Sequence, residues 1–216
     1  MNSPDLPAYG HWSLVIINTL IILIFAFSFF KPKTKIDWRT FGSFSAFIIA
    51  LFTEMFGFPL SIYLLSGWLQ KMNPDIDWFS HNSSHLLQTL LGWEGDAHIN
   101  PLHIASNILL ITGIYILYSS WKILYNAQKN NSIASTGPYA LVKHPQYSAF
   151  ILIMISFLIQ WPTIPTLIMF PVLVYVYTKL AKKEEKDVVK EYGDEYLKYT
   201  LDLPAFFPKI LKRDNN

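Results

Sequence analysis

The chain has 216 residues, no cysteine, 52% hydrophobic residues and only 15% charged residues. Soluble domains average about 25% charged residues, so the composition argues against an ordinary soluble globule, and the lack of cysteine excludes a disulfide-stapled secreted module. The formal net charge of +2 is almost neutral, but the 17 basic residues behind it are very unevenly distributed.

Five apolar segments predict an all-α integral membrane protein that forms a single membrane domain. A helix that crosses a bilayer needs about 20 predominantly apolar residues. The first segment lacks a preceding basic region and a following small-residue cleavage site, so we expect a membrane span there and not a cleaved signal peptide. The predicted spans are approximately 12–30, 41–69, 101–123, 145–161 and 162–179.

The last two spans come from one uncharged run, residues 145–178. A single helix of that length would be about 50 Å long, which is too long for one bilayer crossing. Pro162 and Pro165 lie at its middle, and two prolines there favour a break. The run therefore predicts a helical hairpin.

The basic residues predict the orientation. With five spans, 16 lysines and arginines lie on one side of the membrane and only Lys71 lies on the other. The positive-inside rule then predicts an outer N-terminus and a cytosolic C-terminus, in a bacterial-type inner membrane or a plasma membrane. The lipid bilayer is thus the first expected partner.

The cytosolic loop before residue 145 contains a candidate binding site. Gly137-Pro138 predicts a turn, and Pro145 suits the first turn of a helix. His144 would then lie at the helix N-terminus, where free amides favour an anion, with Lys143 beside it. The alternative is a basic juxtamembrane loop that binds lipid headgroups.

Residues 180–200 predict a cytosolic helix with an unusual apolar face. Helical spacing places Glu184 and Glu185 on the same stripe as Val188 and Val189, while the neighbouring lysines lie off it. A carboxylate on a buried stripe needs a cation or hydrogen-bond donors opposite. The sequence leaves two interpretations of these partners open: a bound ligand, or a structural pair with Lys143 or Lys179.

Five motifs that follow one another along the chain resemble the C-terminal signature of the isoprenylcysteine carboxyl methyltransferase family. This family of integral-membrane enzymes is related to phospholipid N-methyltransferases and thiol S-methyltransferases. The resemblance covers residues 135–208, with Lys143 where arginine is common and Ala149 where glycine is common. The motifs are Gly137-Pro138-Tyr139, Lys143-His144-Pro145-Gln146-Tyr147, Glu184-Glu185, Tyr192-Gly193-Asp194-Glu195-Tyr196 and Leu203-Pro204-Ala205-Phe206-Phe207-Pro208.

The resemblance implies S-adenosylmethionine as the methyl donor, with its carboxylate near His144 and its ammonium near a glutamate. Tyr139, Tyr147 and Tyr192 would face the sulfonium or the adenine. The implied acceptor is a lipophilic or small molecule with a carboxylate, amine or thiol, and no nucleic acid is expected. The implied cofactor-binding residues are Gly137, Tyr139, Leu141, Lys143, His144, Pro145, Tyr147, Glu184 and Glu185.

Other residues leave two further functions open. Glu54 is an ionisable group inside the second span and is a weak catalytic candidate. His81 and His85, four residues apart in the outer loop, are weak metal-ligand candidates. The histidines leave a non-enzymatic metal-binding membrane protein as one alternative. The segment His144-Pro145-Gln146-Tyr147 also resembles one in sterol-type membrane reductases, which use NADPH, so such a reductase is the other alternative.

Overall fold

The computed structural model describes residues 9–29, 35–79, 86–92 and 100–209. In these ranges the chain is all-helical and contains no strand, and a π-helical turn (Thr53–Gly57) and a 3-10 turn (Gly137–Ala140) interrupt the α-helices. The α-helices are α1 (Trp12–Phe29), α2 (Lys35–Phe52), α3 (Leu60–Met72), α4 (Leu86–Leu90), α5 (Pro101–Lys129), α6 (Pro145–Gln160), α7 (Ile164–Tyr192) and α8 (Asp194–Thr200).

Three of these helical segments are long and apolar enough to cross a membrane: Lys35–Gly57, α5 and α7. The apolar helices α1 and α6 are shorter. The predicted all-α membrane architecture is thereby confirmed, while the count of five spans stays a prediction.

The segment predicted as one span over residues 41–69 is divided in the structure. Helix α2 begins earlier, at Lys35, and passes into the π-helical turn, which the amide of Phe58 closes on the carbonyl of Thr53 at 2.8 Å. Pro59 has no N–H and precedes the first residue of α3. The segment is therefore two helices joined at a proline.

Helix α7 differs from the separate cytosolic helix expected over residues 180–200. It is continuous for 29 residues, so residues 180–192 extend the apolar part of the same helix. Gly193 ends it with φ +52°, a conformation that favours glycine, and the short α8 follows. The two glutamates consequently lie on the continuation of a helix that is long and apolar enough to cross a membrane.

The break between α6 and α7 falls at the two prolines that predicted it. Helix α6 ends at Gln160, and Thr163 caps α7 in a reciprocal pair with Thr166. The antiparallel pair returns the chain to the side where α6 begins. This hairpin brings the N-terminus of α6 close to the last turns of α7.

The core lies between α2, α5, α6 and α7. Helices α5 and α6 approach closely at Gly113, where an added Cβ would lie 2.7 Å from Cγ1 of Ile153. The hydroxyl of Ser106 also donates to the carbonyl of Ser156 at 2.8 Å. Helix α2 also packs on α6, where the rings of Phe44 and Phe150 lie with centroids 4.8 Å apart. Contacts with both α5 and α2 therefore fix the position of α6.

Candidate functional site

Five predicted site residues lie together where α6 begins and α7 leaves its apolar part. We call this group the inner cluster: Lys143, His144, Tyr147, Glu184 and Glu185. The first three come from the start of α6 and the residues before it, and the two glutamates come from α7. The hairpin therefore joins the two halves of the sequence motif.

The imidazole of His144 faces both glutamates. Its Nε2 lies 2.9 Å from Oε1 of Glu185, and its Nδ1 lies 3.7 Å from Oε2 of Glu184. An ionised carboxylate oxygen can only accept a hydrogen bond. Nε2 therefore carries a hydrogen and donates a hydrogen bond to Glu185. Lys143 adds a cation, with Nζ 3.9 Å from the same oxygen of Glu185.

The hydroxyl of Tyr147 holds the other glutamate. It donates to Oε1 of Glu184 at 2.6 Å, which is a charge-assisted hydrogen bond. Thr40 of α2 lies on the far side of that hydroxyl, with its Oγ1 3.4 Å away. Thr40 is buried and lies far from every motif in the sequence, so sequence reasoning missed it.

The glutamates remain accessible while His144 does not. Their side chains are 31% and 30% exposed, whereas the side chain of His144 is 5% exposed. The sequence predicted a buried stripe, but the structure leaves its two glutamates partly exposed. The opposing cation and donors are Lys143, His144 and Tyr147. Solvent can therefore reach the carboxylates but not the imidazole between them.

Three further tyrosines, from the 3-10 turn and α8, stay uncharged. Burial, followed by the charge of Glu184, raises the pKa of Tyr139 well above its usual value. Burial also raises the pKa of Tyr196, with Glu185 contributing, and raises the pKa of Tyr199 to about 12. At neutral pH all three phenols are thus intact hydrogen-bond donors.

Tyr139 is the most enclosed of these tyrosines. Its hydroxyl is buried and has no hydrogen-bond partner within the part of the chain that the structure describes. Its backbone carbonyl accepts a hydrogen bond from the hydroxyl of Tyr199 at 2.5 Å. Helix α8 therefore holds the 3-10 turn that carries Tyr139.

The C-terminal residues 203–207, which we call the tail strap, cover the N-terminus of α6. The amides of Lys143 and His144 donate to the carbonyls of Pro204 and Ala205 at 2.9 and 3.0 Å. The hydroxyl of Ser148 donates to the carbonyl of Phe206 at 2.5 Å. The strap therefore occupies the amides of the two residues that precede α6.

The remaining motif residues have supporting positions. Gly137 has φ +59°, and an added Cβ would lie 2.6 Å from Cδ1 of Ile123, so only glycine fits the turn. Pro145 is buried at the first position of α6, while Leu141 is 58% exposed. Tyr192 ends α7 and hydrogen-bonds with Glu191, outside the inner cluster.

Glu54 belongs to a different part of the molecule. Its Oε2 accepts from the amide of Ser61 at 3.1 Å, and the hydroxyl of Ser61 accepts from the amide of Ile164 at 2.7 Å. Glu54 is 14 residues beyond Thr40, which corresponds to about 20 Å along the helix. It therefore joins the starts of α3 and α7, and it lies outside the inner cluster.

The weak metal candidates His81 and His85 lie outside the described residues. Within residues 9–29, 35–79, 86–92 and 100–209, no group of three or more histidine, aspartate or glutamate side chains could hold a metal ion.

Comparison with known proteins finds a distant curated relative. The chain is 24% identical over 120 residues to the "Cobalt-zinc-cadmium resistance protein CzcN" of Cupriavidus metallidurans. This alignment covers 55% of the present chain and 54% of the relative, so the chain spans about half the length of the curated relative that it matches. No solved structure matches.

The family model matches residues 99–190, a range that contains the whole inner cluster and the hairpin that assembles it. Three helical segments are also long and apolar enough to cross a membrane. In residues 99–190 the chain is therefore similar to the isoprenylcysteine carboxyl methyltransferase family.

Proposed function

We propose that the chain is an S-adenosylmethionine-dependent methyltransferase that acts on a lipophilic acceptor at the cytosolic face of the membrane. The observation that carries the proposal is the inner cluster, in which two partly exposed glutamates meet a lysine, a histidine and a tyrosine. The match of residues 99–190 to the model of the isoprenylcysteine carboxyl methyltransferase family supports methyl transfer.

The charges of the inner cluster fit this cofactor. Two carboxylates face one lysine, and His144 can remain neutral while it donates to Glu185. The cluster is then left with an excess of negative charge. When bound, S-adenosylmethionine supplies an electrophilic methyl group on a cationic sulfonium, together with an ammonium and a carboxylate. Opposite charges at short distance stabilise one another, most strongly where water is excluded.

The residues would divide the binding between them. Glu184 and Glu185 would hold the ammonium, because charge-assisted hydrogen bonds are stronger than neutral ones. Lys143 would hold the carboxylate with its side chain, since the tail strap uses the backbone amides of Lys143 and His144. The buried hydroxyl of Tyr139 offers a further donor beside Glu184.

The position of the inner cluster suits an acceptor that comes from the bilayer. The cluster lies where α7 passes from its apolar part to its lysine-rich end, so one side faces the cytosol in the proposed orientation. A methyl transfer needs two oriented reactants and little water, without a covalent enzyme intermediate. The chain's own residues therefore act by orienting the reactants and by excluding water.

The NADPH-dependent reductase alternative fits the charges less well. A pyrophosphate requires cations or free amides. The inner cluster offers two carboxylates to one lysine, and the strap occupies two of the amides. The arrangement thus disfavours a dinucleotide at this position.

A metal-related function is a second candidate, because the curated relative is named as a cobalt-zinc-cadmium resistance protein. That name gives no acceptor and is compatible with a methyltransferase. Calorimetric titration of the purified protein with Co²⁺, Zn²⁺ or Cd²⁺ tests whether it binds metal. The His81→Ala/His85→Ala double variant would abolish any binding that depends on the outer loop.

Calorimetry tests the proposed function directly. The purified full chain in detergent is titrated with S-adenosylmethionine, with its demethylated product S-adenosylhomocysteine and with NADPH. We expect both sulfur compounds to bind and NADPH not to bind. Tight NADPH binding without binding of either sulfur compound would refute the proposal.

A further inference from the structure

Tyr177 is a fully buried tyrosine whose hydroxyl bonds to none of the residues that the structure describes. Its side chain has no exposed surface, and it is the largest side chain among those that are completely buried. Its hydroxyl has no hydrogen-bond partner within the described ranges of the chain. A buried hydroxyl without a partner is unfavourable, and phenylalanine would fill almost the same space without it.

The position of Tyr177 relates it to the inner cluster. It lies seven residues before Glu184 on the same helix, which places it on the same face about two turns, or about 10 Å, deeper in the membrane. Its ring stacks on Tyr147, with centroids 5.4 Å apart and an interplanar angle of 24°. Tyr147 in turn holds Glu184. Tyr177 is therefore next to the cluster, on its membrane side.

The surroundings of Tyr177 are otherwise apolar. The ring of Phe150 lies 5.8 Å away, and Phe44, Phe47 and Ile48 belong to the same buried core. A polar group in such surroundings is normally paired. A molecule that brings both an apolar chain and a polar head would satisfy the hydroxyl and keep the apolar contacts.

We propose that the hydroxyl of Tyr177 hydrogen-bonds with the polar head of the methyl acceptor, and that this acceptor has a lipophilic chain. The inference rests on the proposed methyltransferase function. A phenol both donates and accepts, so it suits a carboxylate, an amine or a thiol. Tyr177 orients the acceptor and exchanges no proton or electron pair with it.

The test compares Tyr177→Phe with Tyr175→Phe. Tyr175 lies on the same helix, is 59% exposed and has Lys179 over its ring, a contact that phenylalanine retains. Transfer of the labelled methyl group from S-adenosylmethionine is measured to dodecylamine, dodecanethiol and dodecanoate in detergent micelles. Thermal unfolding and S-adenosylhomocysteine binding are measured for the wild type and for both variants.

For Tyr177→Phe we expect kcat/KM for the best of the three amphiphiles to fall by about tenfold, the scale of one buried hydrogen bond. Its melting temperature should be unchanged or higher, because no protein partner is lost. Its affinity for S-adenosylhomocysteine should be unchanged. Tyr175→Phe should match the wild type in all three measurements.

Four results would overturn the inference. An unchanged kcat/KM would show that the hydroxyl is not used, and a lower melting temperature would show that it has a partner in the protein. Weaker S-adenosylhomocysteine binding would place the hydroxyl on the cofactor. If the wild type binds S-adenosylhomocysteine but methylates none of the three amphiphiles, the lipophilic acceptor is refuted. If the wild type does not bind the cofactor at all, the proposed function itself is refuted.

Discussion

His144 and Glu185 are 41 residues apart in the chain, yet Nε2 of His144 lies 2.9 Å from Oε1 of Glu185. The neighbouring Glu184 is held by a different residue, Tyr147, at 2.6 Å. Consecutive residues on a helix point in different directions, so each glutamate has its own hydrogen-bond partner, His144 just before α6 for Glu185 and Tyr147 of α6 for Glu184. Each glutamate can therefore be tested separately.

Replacing either glutamate with glutamine should weaken cofactor binding. Glu184→Gln and Glu185→Gln each remove a charge that a cationic cofactor would meet. Hydrogen bonds to charged groups contribute about 1.5–3 kcal/mol, so we expect a loss of roughly 10- to 150-fold in the affinity for S-adenosylmethionine. Calorimetry on the purified variants gives the measurement.

The matched control for both substitutions is Asp187→Asn. Asp187 is on the same helix, but it is exposed and pairs with the exposed Lys190 at 3.6 Å. Exposed pairs of this kind contribute little. Asp187→Asn should bind like the wild type, and wild-type affinity in both glutamate variants would show that the cofactor does not contact this pair.

Tyr147→Phe should destabilise the protein more than Thr40→Val does. Removing the hydroxyl of Tyr147 takes from Glu184 a charge-assisted donor at 2.6 Å, which we expect to lower the free energy of unfolding by about 1.5–3 kcal/mol. Thr40 is 3.4 Å from the same hydroxyl and also donates to the carbonyl of Ile36, so its removal should cost about 1 kcal/mol.

Denaturant unfolding in mixed micelles measures both effects. The exposed Tyr115 of α5 provides the control, since Tyr115→Phe should leave the free energy of unfolding unchanged. Equal destabilisation by Tyr147→Phe and Tyr115→Phe would mean that the Tyr147–Glu184 contact contributes nothing to stability.

The inner cluster could be predicted from the sequence because its signals are local. The proline after His144 marks a helix start, and helical spacing alone places Glu184 and Glu185 on a buried face. Thr40 could not be predicted, since only the packing of α2 against α6 and α7 brings it to Tyr147. No pattern within α2 distinguishes it from any other threonine near a helix start.

The differences between the predicted and the observed helix boundaries also have local causes. The sudden rise in charge after Lys179 suggested a boundary, but lysines and glutamates are good helix formers and α7 continues through them. The run 41–69 contains a single proline, whose missing N–H ends the helix beyond the π-helical turn. The tail strap accepts its hydrogen bonds through backbone carbonyls. Every residue has a backbone carbonyl, so residue types do not predict these contacts.

Gly193→Ala should disturb the junction between α7 and α8. Gly193 has φ +52° and ψ −128°, a region that is essentially restricted to glycine, so alanine should cost about 1–3 kcal/mol through backbone strain alone. An added Cβ there would meet no atom within 4 Å, which excludes a clash as the cause. We expect a lower free energy of unfolding and easier proteolysis of the chain after residue 193.

Gly67→Ala is the control for this substitution. Gly67 lies inside α3, and an added Cβ there also meets nothing within 4 Å. Alanine is a better helix former than glycine, so this variant should be neutral or more stable by up to about 1 kcal/mol. If Gly193→Ala and Gly67→Ala behave alike, the positive φ at residue 193 is not required.

The predicted topology can be tested with single cysteines, since the natural chain contains none. Asp75, Ser135 and Lys209 are all exposed, and they follow α3, α5 and α8 respectively. With five spans and an outer N-terminus, a membrane-impermeant maleimide should label Asp75→Cys in intact cells. Ser135→Cys and Lys209→Cys should react only after the membrane is made permeable.

Each departure from this pattern has a distinct meaning. Labelling of Lys209→Cys together with Asp75→Cys would make residues 145–178 a single span and would separate Glu184 from His144 across the membrane, in conflict with their 3.7 Å contact. A fully inverted pattern would keep the spans but place the inner cluster on the outer face. Because S-adenosylmethionine is a cytosolic metabolite, the inverted pattern would also refute the proposed function.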